Sequence, residues 1–331
     1  MIPLSLGVYR RCQCALLCWL TVFALLPAQA ATVLRVADTQ PADYPTVVAL
    51  EFMAKRVAEL TQGQITLKIY PARQLGEEKD TILATLFGAI DINRVSSAPL
   101  GTMVPELQVL GLPYLFSSEE HYYRVLDGDI GEHILESLRA HGMIGLGYFT
   151  AGARSFYSTR PINTLADLKG LKIRVQNTDL YVDMVRYLGG NATPMSFGQV
   201  YESLVTGVID AAENNWPSYV ATRHLEAARY YTLDKHTRVP EVLVMSKSRW
   251  DRLSANERAI IKQAAQEAAQ VMRELWYQRV QQAQAAAAKA GVTVIDTIDI
   301  EAFAQAVAPL YQPFEQDPVL SSLIDRIRGA R

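Results

Sequence analysis

Hydrophobic and polar positions change period repeatedly along this chain, strand-like runs giving way to helical spacing and back. Thr32–Thr39 reads as a strand. Tyr44–Thr61 follows with Val48, Phe52, Val57 and Leu60 near helical spacing, the pattern of an amphipathic helix. Ile65–Tyr70 alternates as a strand and stops at Pro71, Glu77–Gly88 reads as a helix, and Ala89–Val95 as a strand. The same succession returns later. Lys172–Val175 is strand-like, Asp179–Leu188 helical, Ala192–Met195 extended around Pro194, the stretch from Phe197 to Gly207 helical, and Val208–Ala212 strand-like.

The local text repeats with the elements. Leu86-Phe87-Gly88-Ala89-Ile90-Asp91-Ile92 echoes Val205-Thr206-Gly207-Val208-Ile209-Asp210-Ala211, and Leu75-Gly76-Glu77 echoes Phe197-Gly198-Gln199. Glycine at the end of each helix suits a left-handed termination that turns directly into a strand. One such turn means little in an α/β chain, but two in the same order of elements predict two similar α/β lobes. Between the copies lie an apolar connector, Pro105–Phe116, helices over Glu119–Leu126 and Ile130–His141, and a strand over Ile144–Phe149. The small-residue stretch Thr150–Ala153 then suits a crossing between lobes. After the second copy, Val239–Met245 is another apolar strand. Ser254-Ala-Asn-Glu257 forms a capping box that opens the longest helical stretch, uninterrupted by proline or glycine as far as Gly291. Such a helix outreaches one lobe and is expected to brace both.

These boundaries give a leader over 1–30, a first lobe over 31–152 completed by about 240–253, a second lobe over 153–239, and the long helix with a helical tail over 254–331. The leader has a basic start, Arg10-Arg11, an uncharged apolar run from Cys12 to Leu26, and Ala28-Gln29-Ala30 as a cleavage site. That is the grammar of a secretory signal peptide, and the run is too short to span a bilayer. Its removal changes the chemistry. Cys12, Cys14 and Cys18 all leave, so the exported chain has no disulfide, thiol nucleophile or thiolate metal site. Arg10 and Arg11 leave too, so 30 basic side chains face 34 acidic ones, a balance that gives nucleic-acid binding no support.

Searches for catalytic chemistry return little. The chain contains no phosphate-binding Gly-rich loop, no dinucleotide fingerprint, no His-Glu-x-x-His and no nucleophile elbow. None of the five histidines sits at a metal-ligand spacing, and no metal or cofactor is expected. His236, near the second crossing, is the one histidine placed to reach a ligand. What remains is an anion problem. Arg174 stands in the middle of a short apolar strand of a kind normally buried on both faces, and a guanidinium cannot shed its charge. It needs an anion, either a protein carboxylate or a ligand. Aligning Ile173-Arg174-Val175 with Leu34-Arg35-Val36 makes Arg35 an equal candidate by periodicity.

Arg154-Ser155-Phe156-Tyr157 with Arg160-Pro161-Ile162, then Asp167 through Val175, and Gly207 through Asn214 together resemble the solute-binding proteins of tripartite ATP-independent periplasmic (TRAP) transporters. The resemblance covers essentially the whole exported chain. It implies a two-lobed periplasmic binding protein-like α/β fold with a long helix across both lobes. It also implies a periplasmic location, an organic acid as ligand, and TRAP membrane subunits as partners. In that pattern Arg174 pairs with the ligand carboxylate, Arg154 is a second anionic contact, and Asn214 hydrogen-bonds the acid. Glu77 and Arg94 lie at the C-terminal sides of first-lobe turns, where an α/β lobe presents groups to a cleft. Asn177 adds an amide, and Trp216 a face on which a sugar could stack. Gln74–Asp80 and Glu213–Ser218 resemble the branch that binds sugar acids such as hexuronates. The alternatives are a small dicarboxylate or 2-oxo acid in the same role, a periplasmic ligand sensor, or an enzyme acting on a sugar acid. For Arg174 and Arg154 the structural alternative is an internal ion pair, and for the other residues a solvated loop position.

Overall fold

The computed structural model describes residues 31–330, so the leader lies outside the described residues. Two mixed sheets organise the chain. The first runs β2 (Ile65–Tyr70), β1 (Thr32–Ala37), β3 (Ile92–Ser96), β10 (Glu241–Ser246), β4 (Met143–Phe149). The second runs β11 (Thr293–Ile295), β9 (Tyr230–Thr237), β5 (Arg154–Ser158), β8 (Ala211–Asn214), β6 (Lys172–Val175), β7 (Asn191–Pro194). The chain crosses between them after β4, through 150–153, and again between β9 and β10.

The repeat is real at the level of pairing. β1 lies parallel between β2 and β3, and β6 lies parallel between β7 and β8. Each trio is then flanked by an antiparallel strand delivered from the other side of the crossing, β10 against β3 and β5 against β8. Gly88 and Gly207 both take left-handed φ, 76° and 73°, where the repeated text demanded it.

The register corrects the expected alignment of the two arginines. Val36 and Ala37 pair with Ile92 and Asn93, while Ile173 and Arg174 pair with Ala211 and Ala212. The two aspartates fix the match. Asp91 accepts a hydrogen bond from the Arg35 backbone N–H (2.7 Å), and Asp210 accepts one from that of Lys172 (2.9 Å). Arg35 is thus the counterpart of Lys172, and Ala37 that of Arg174. The offset is two residues, which keeps the face of the strand but moves the side chain from its cleft end back toward its start. Arg35 accordingly points to solvent beside Asp91, and Arg174 is buried, 3 % exposed.

Several element ends moved. The third strands begin at Ile92 and Ala211, because the residues after each glycine complete a turn before pairing starts. Pro105–Val109, read as part of a connector, is a short helix. β9 and β11 were not anticipated, and β11 draws part of the C-terminal segment into the second sheet.

The long helix spans Ala255–Lys289, about 52 Å of rise, and the capping box is present: the Ser254 hydroxyl accepts from the Glu257 N–H, and Glu257 accepts from the Ser254 N–H. Its early apolar positions, Ile261, Ala264, Ala268, Met272 and Trp276, pack into the first-lobe core with Leu50, Met53 and Ile144. Its later positions, Ala283 and Ala287, enter the second-lobe core with Tyr157, Tyr219 and Tyr231. One helix therefore belongs to both cores. It fixes the back of the molecule and leaves the opposite ends of the parallel strands to face each other. No described helix is long and apolar enough to cross a membrane.

Candidate functional site

In open α/β sheets, functional groups collect at the C-terminal ends of the parallel strands. Here both lobes turn those ends inward, and the cleft between them narrows to a cavity of about 30 Å³. Thr39, Gln40, Glu78, Arg94, Ser96 and Glu241 line it from the first lobe; Arg154, Arg174, Gln176, Phe197, Asn214 and Ser218 line it from the second. That volume is no more than one water's share of the liquid, so a solute enters only when the lobes part. Tyr44, from the first lobe, closes the gap with its hydroxyl 2.9 Å from the Ser218 Oγ.

The three cleft arginines differ in what answers their charge. Arg94 is the most heavily paired. Its Nε donates to Asp38 Oδ2 (3.0 Å), its Nη2 to Asp38 Oδ1 and to Thr39 Oγ1, and its Nη1 to Glu241 Oε2 (2.7 Å), with Glu78 Oε1 at 3.9 Å. Arg154 is locked to Glu213. Nε donates to Oε2 (2.5 Å) and Nη2 to Oε1 (2.9 Å), while Nη1 donates to Asn214 Oδ1 (2.9 Å). Arg174 donates from Nε and Nη2 to one backbone carbonyl oxygen, that of Met195, at 3.2 and 3.0 Å. Among the described residues no carboxylate oxygen lies within 4.0 Å of its guanidinium. Burial accordingly presses its pKa down, only partly offset by Glu213 and Tyr157. The Phe197 ring lies 5.8 Å away.

A buried relay stands behind Arg154. His236 Nδ1 lies 2.6 Å from Asp234 Oδ2, and its Nε2 lies 3.4 Å from Glu213 Oε2. Burial alone would favour neutral imidazole, but Asp234 and Glu213 outweigh it and raise the His236 pKa to about 9. Burial would likewise raise the Glu213 pKa, but Arg154 and His236 hold it at about 2. The relay is saturated with its own charges.

The cavity brings together Arg174, Arg154, Arg94 and Asn214. Four other expected residues lie elsewhere. Glu77 sits 3.4 Å from Arg73 and packs against Gly198 of the other lobe, so that a Cβ there would come within 2.4 Å of its Oε1; the next residue, Glu78, turns into the cavity instead. Asn177 is half-buried outside the lining, and Gln176 takes its place. Trp216 is stacked on Tyr231 with centroids 3.7 Å apart, and Phe197 is the aromatic at the cleft. His236 is held in the relay. Of the lining residues missed, Glu78 and Gln176 stand one position away from a chosen one, and Glu241 comes from β10, which sequence order places far from its neighbours.

Polar atoms without partners mark the same place. Gln40 Oε1, Gln176 Oε1 and Ser96 Oγ are buried with no hydrogen-bond partner, and all three residues line the cavity. Buried polar groups ordinarily find partners, and these three stand around the same guanidinium that pairs with no described carboxylate.

Two lobes braced by one helix, closing on a polar cleft with an uncompensated arginine, define a solute-binding protein. The chain belongs to the bacterial extracellular solute-binding protein, family 7, the TRAP-transporter receptors, whose family model matches residues 36–317. It is 46 % identical to a TRAP periplasmic solute-binding protein of Xanthobacter autotrophicus solved with β-D-galacturonate (TM-score 0.89; 90 % of this chain and 100 % of that one). A Bradyrhizobium protein solved with α/β-D-galacturonate is 48 % identical (TM-score 0.88; 89 % and 99 %). A Chromohalobacter salexigens protein solved with D-glucuronate is 43 % identical (TM-score 0.88; 90 % and 100 %).

Proposed function

We propose that this chain is the periplasmic receptor of a TRAP transporter for a hexuronate, glucuronate or galacturonate, and hands it to the membrane subunits. The observation that carries the reading is Arg174, a buried guanidinium that has a carbonyl for a partner and lacks a described carboxylate within ion-pair distance. A ligand carboxylate completes it, and an arginine–carboxylate pair in a dry cleft fixes direction as well as affinity. Gln40, Gln176, Ser96 and the free amide nitrogen of Asn214 then meet hydroxyls, and Phe197 supplies an apolar face. Arg154 and Arg94 shape and charge the walls while bound to protein acids. Three structural relatives at 43–48 % identity carry hexuronates, which supports the same class here. Ligand drives closure by touching both lobes at once.

Calorimetric titration of ligand-stripped protein with galacturonate, glucuronate, succinate and pyruvate tests this. Saturable binding of a hexuronate, well ahead of succinate and pyruvate, is expected. Preference for succinate or pyruvate overturns the sugar-acid assignment, and turnover of the uronate overturns the receptor role.

A further inference from the structure

The two walls of the cleft carry opposite charge. On the first-lobe wall a single guanidinium, Arg94, faces three carboxylates, Asp38, Glu78 and Glu241. On the second-lobe wall stand two guanidiniums, Arg154 and Arg174, and one carboxylate, Glu213, which pairs with Arg154. Beyond Glu213, His236 and Asp234 answer each other. The cavity is therefore polarised across its width, cationic where Arg174 stands and anionic where Glu78 and Glu241 stand.

We infer that Glu78 and Glu241 are specificity-determining residues that restrict the cleft to sugar acids bearing one carboxylate and exclude aldaric acids, which carry one at each end. The inference rests on the reading above, in which the ligand carboxylate sits on Arg174. The other end of a six-carbon acid then reaches the opposite wall. A hydroxyl there donates to a carboxylate oxygen. A second carboxylate has no proton to give and adds negative charge beside two acids already sharing one arginine. Like charges set against each other in a closed interface are a strong means of discrimination. Burial and then the neighbouring Glu241 raise the Glu78 carboxyl to about 7, the response of a wall that resists added negative charge. Glu78 is also held in place, its Oε1 accepting from the Ser96 N–H at 2.8 Å, so it cannot simply swing aside. Selection by charge leaves hydroxyl stereochemistry free, which suits a receptor for more than one hexuronate.

The test is the ratio of galactarate to galacturonate dissociation constants, measured by titration calorimetry for the wild type, Glu78→Gln and Glu241→Gln. Glutamine keeps the size of the side chain and an acceptor oxygen for the Ser96 N–H while removing the charge. In the wild type the ratio is expected to be about 100 or more, and to fall at least about tenfold in one variant or both. Comparable affinities for the two acids in the wild type overturn the inference. So does a ratio unchanged in both variants, or galactarate binding that stays undetectable in both. Failure of the wild type to bind galacturonate strikes the uronate reading itself. Should either variant fold poorly, as judged by its thermal transition, the other decides.

Discussion

Arg154 grips Glu213 of the neighbouring strand through two nitrogens, at 2.5 and 2.9 Å, while Arg174, one strand further along the sheet, reaches only the carbonyl of Met195. Equal burial, 3 % exposure for each, thus hides opposite roles. One arginine is tied to a protein carboxylate; the other, on the reading proposed above, waits for the carboxylate of a ligand.

The two arginines should separate in a denaturation experiment. Arg154→Ala strands Glu213 as a buried charge and is expected to cost about 3–5 kcal/mol, as breaking a buried pair does. Arg174→Ala removes a buried cation whose protein partner is a single carbonyl, so its urea midpoint should equal or exceed that of the wild type. Equal destabilisation by both substitutions would contradict the division.

Stability should decline from weakly acidic toward alkaline pH in two stages. The Glu78 carboxyl is raised from 4.5 to about 7, so the folded state holds its proton more tightly and loses stability as pH climbs through that interval. His236 is raised from 6.5 to about 9, so its contribution is complete below 6.5 and is lost as pH rises through 9. Glu213, lowered to about 2, contributes fully above 4.5 and loses that contribution as pH falls toward 2. Urea midpoints measured across pH should show Glu78→Gln removing the stage between 4.5 and 7 and His236→Asn the stage between 6.5 and 9. A wild-type profile that is flat from pH 4.5 to 9 would contradict both assignments.

Tyr44 joins the lobes at the edge of the cleft, its hydroxyl 2.9 Å from Ser218 Oγ. Tyr44→Phe keeps the ring against Trp276 and removes the link. One hydrogen bond is worth about 0.5–1.5 kcal/mol, so uronate affinity should fall by about two- to tenfold through a less stable closed state. The same substitution should leave the cores intact, and an unchanged dissociation constant would remove Tyr44 from the closure mechanism.

Much of the architecture was legible because strong local signals agreed with it. The capping box at Ser254, the helix-ending glycines and the doubled order of elements each describe a local event that tertiary structure had no reason to override. The site was only half legible. Arg174 announced itself as a charge in an apolar strand. Its Arg35 counterpart was wrong by two residues, because sequence echo does not fix register and the aspartate bonds that do fix it join residues far apart in the chain. Glu77 and Asn177 were each displaced by their neighbours Glu78 and Gln176 for a related reason: which of two adjacent loop residues faces a cleft depends on backbone direction. Glu241 depends on a strand delivered across the lobe crossing, and the His236 relay on two strands of the second sheet brought near each other, which no local pattern encodes.

The central claim is that a ligand carboxylate answers Arg174. Titration of galacturonate into ligand-stripped wild type and Arg174→Ala, with thermal unfolding of both, tests it most directly. The account predicts tight binding by the wild type and a loss of about 100-fold or more in the variant, whose unfolding temperature without ligand is undiminished. Binding by Arg174→Ala within about threefold of the wild type would contradict it.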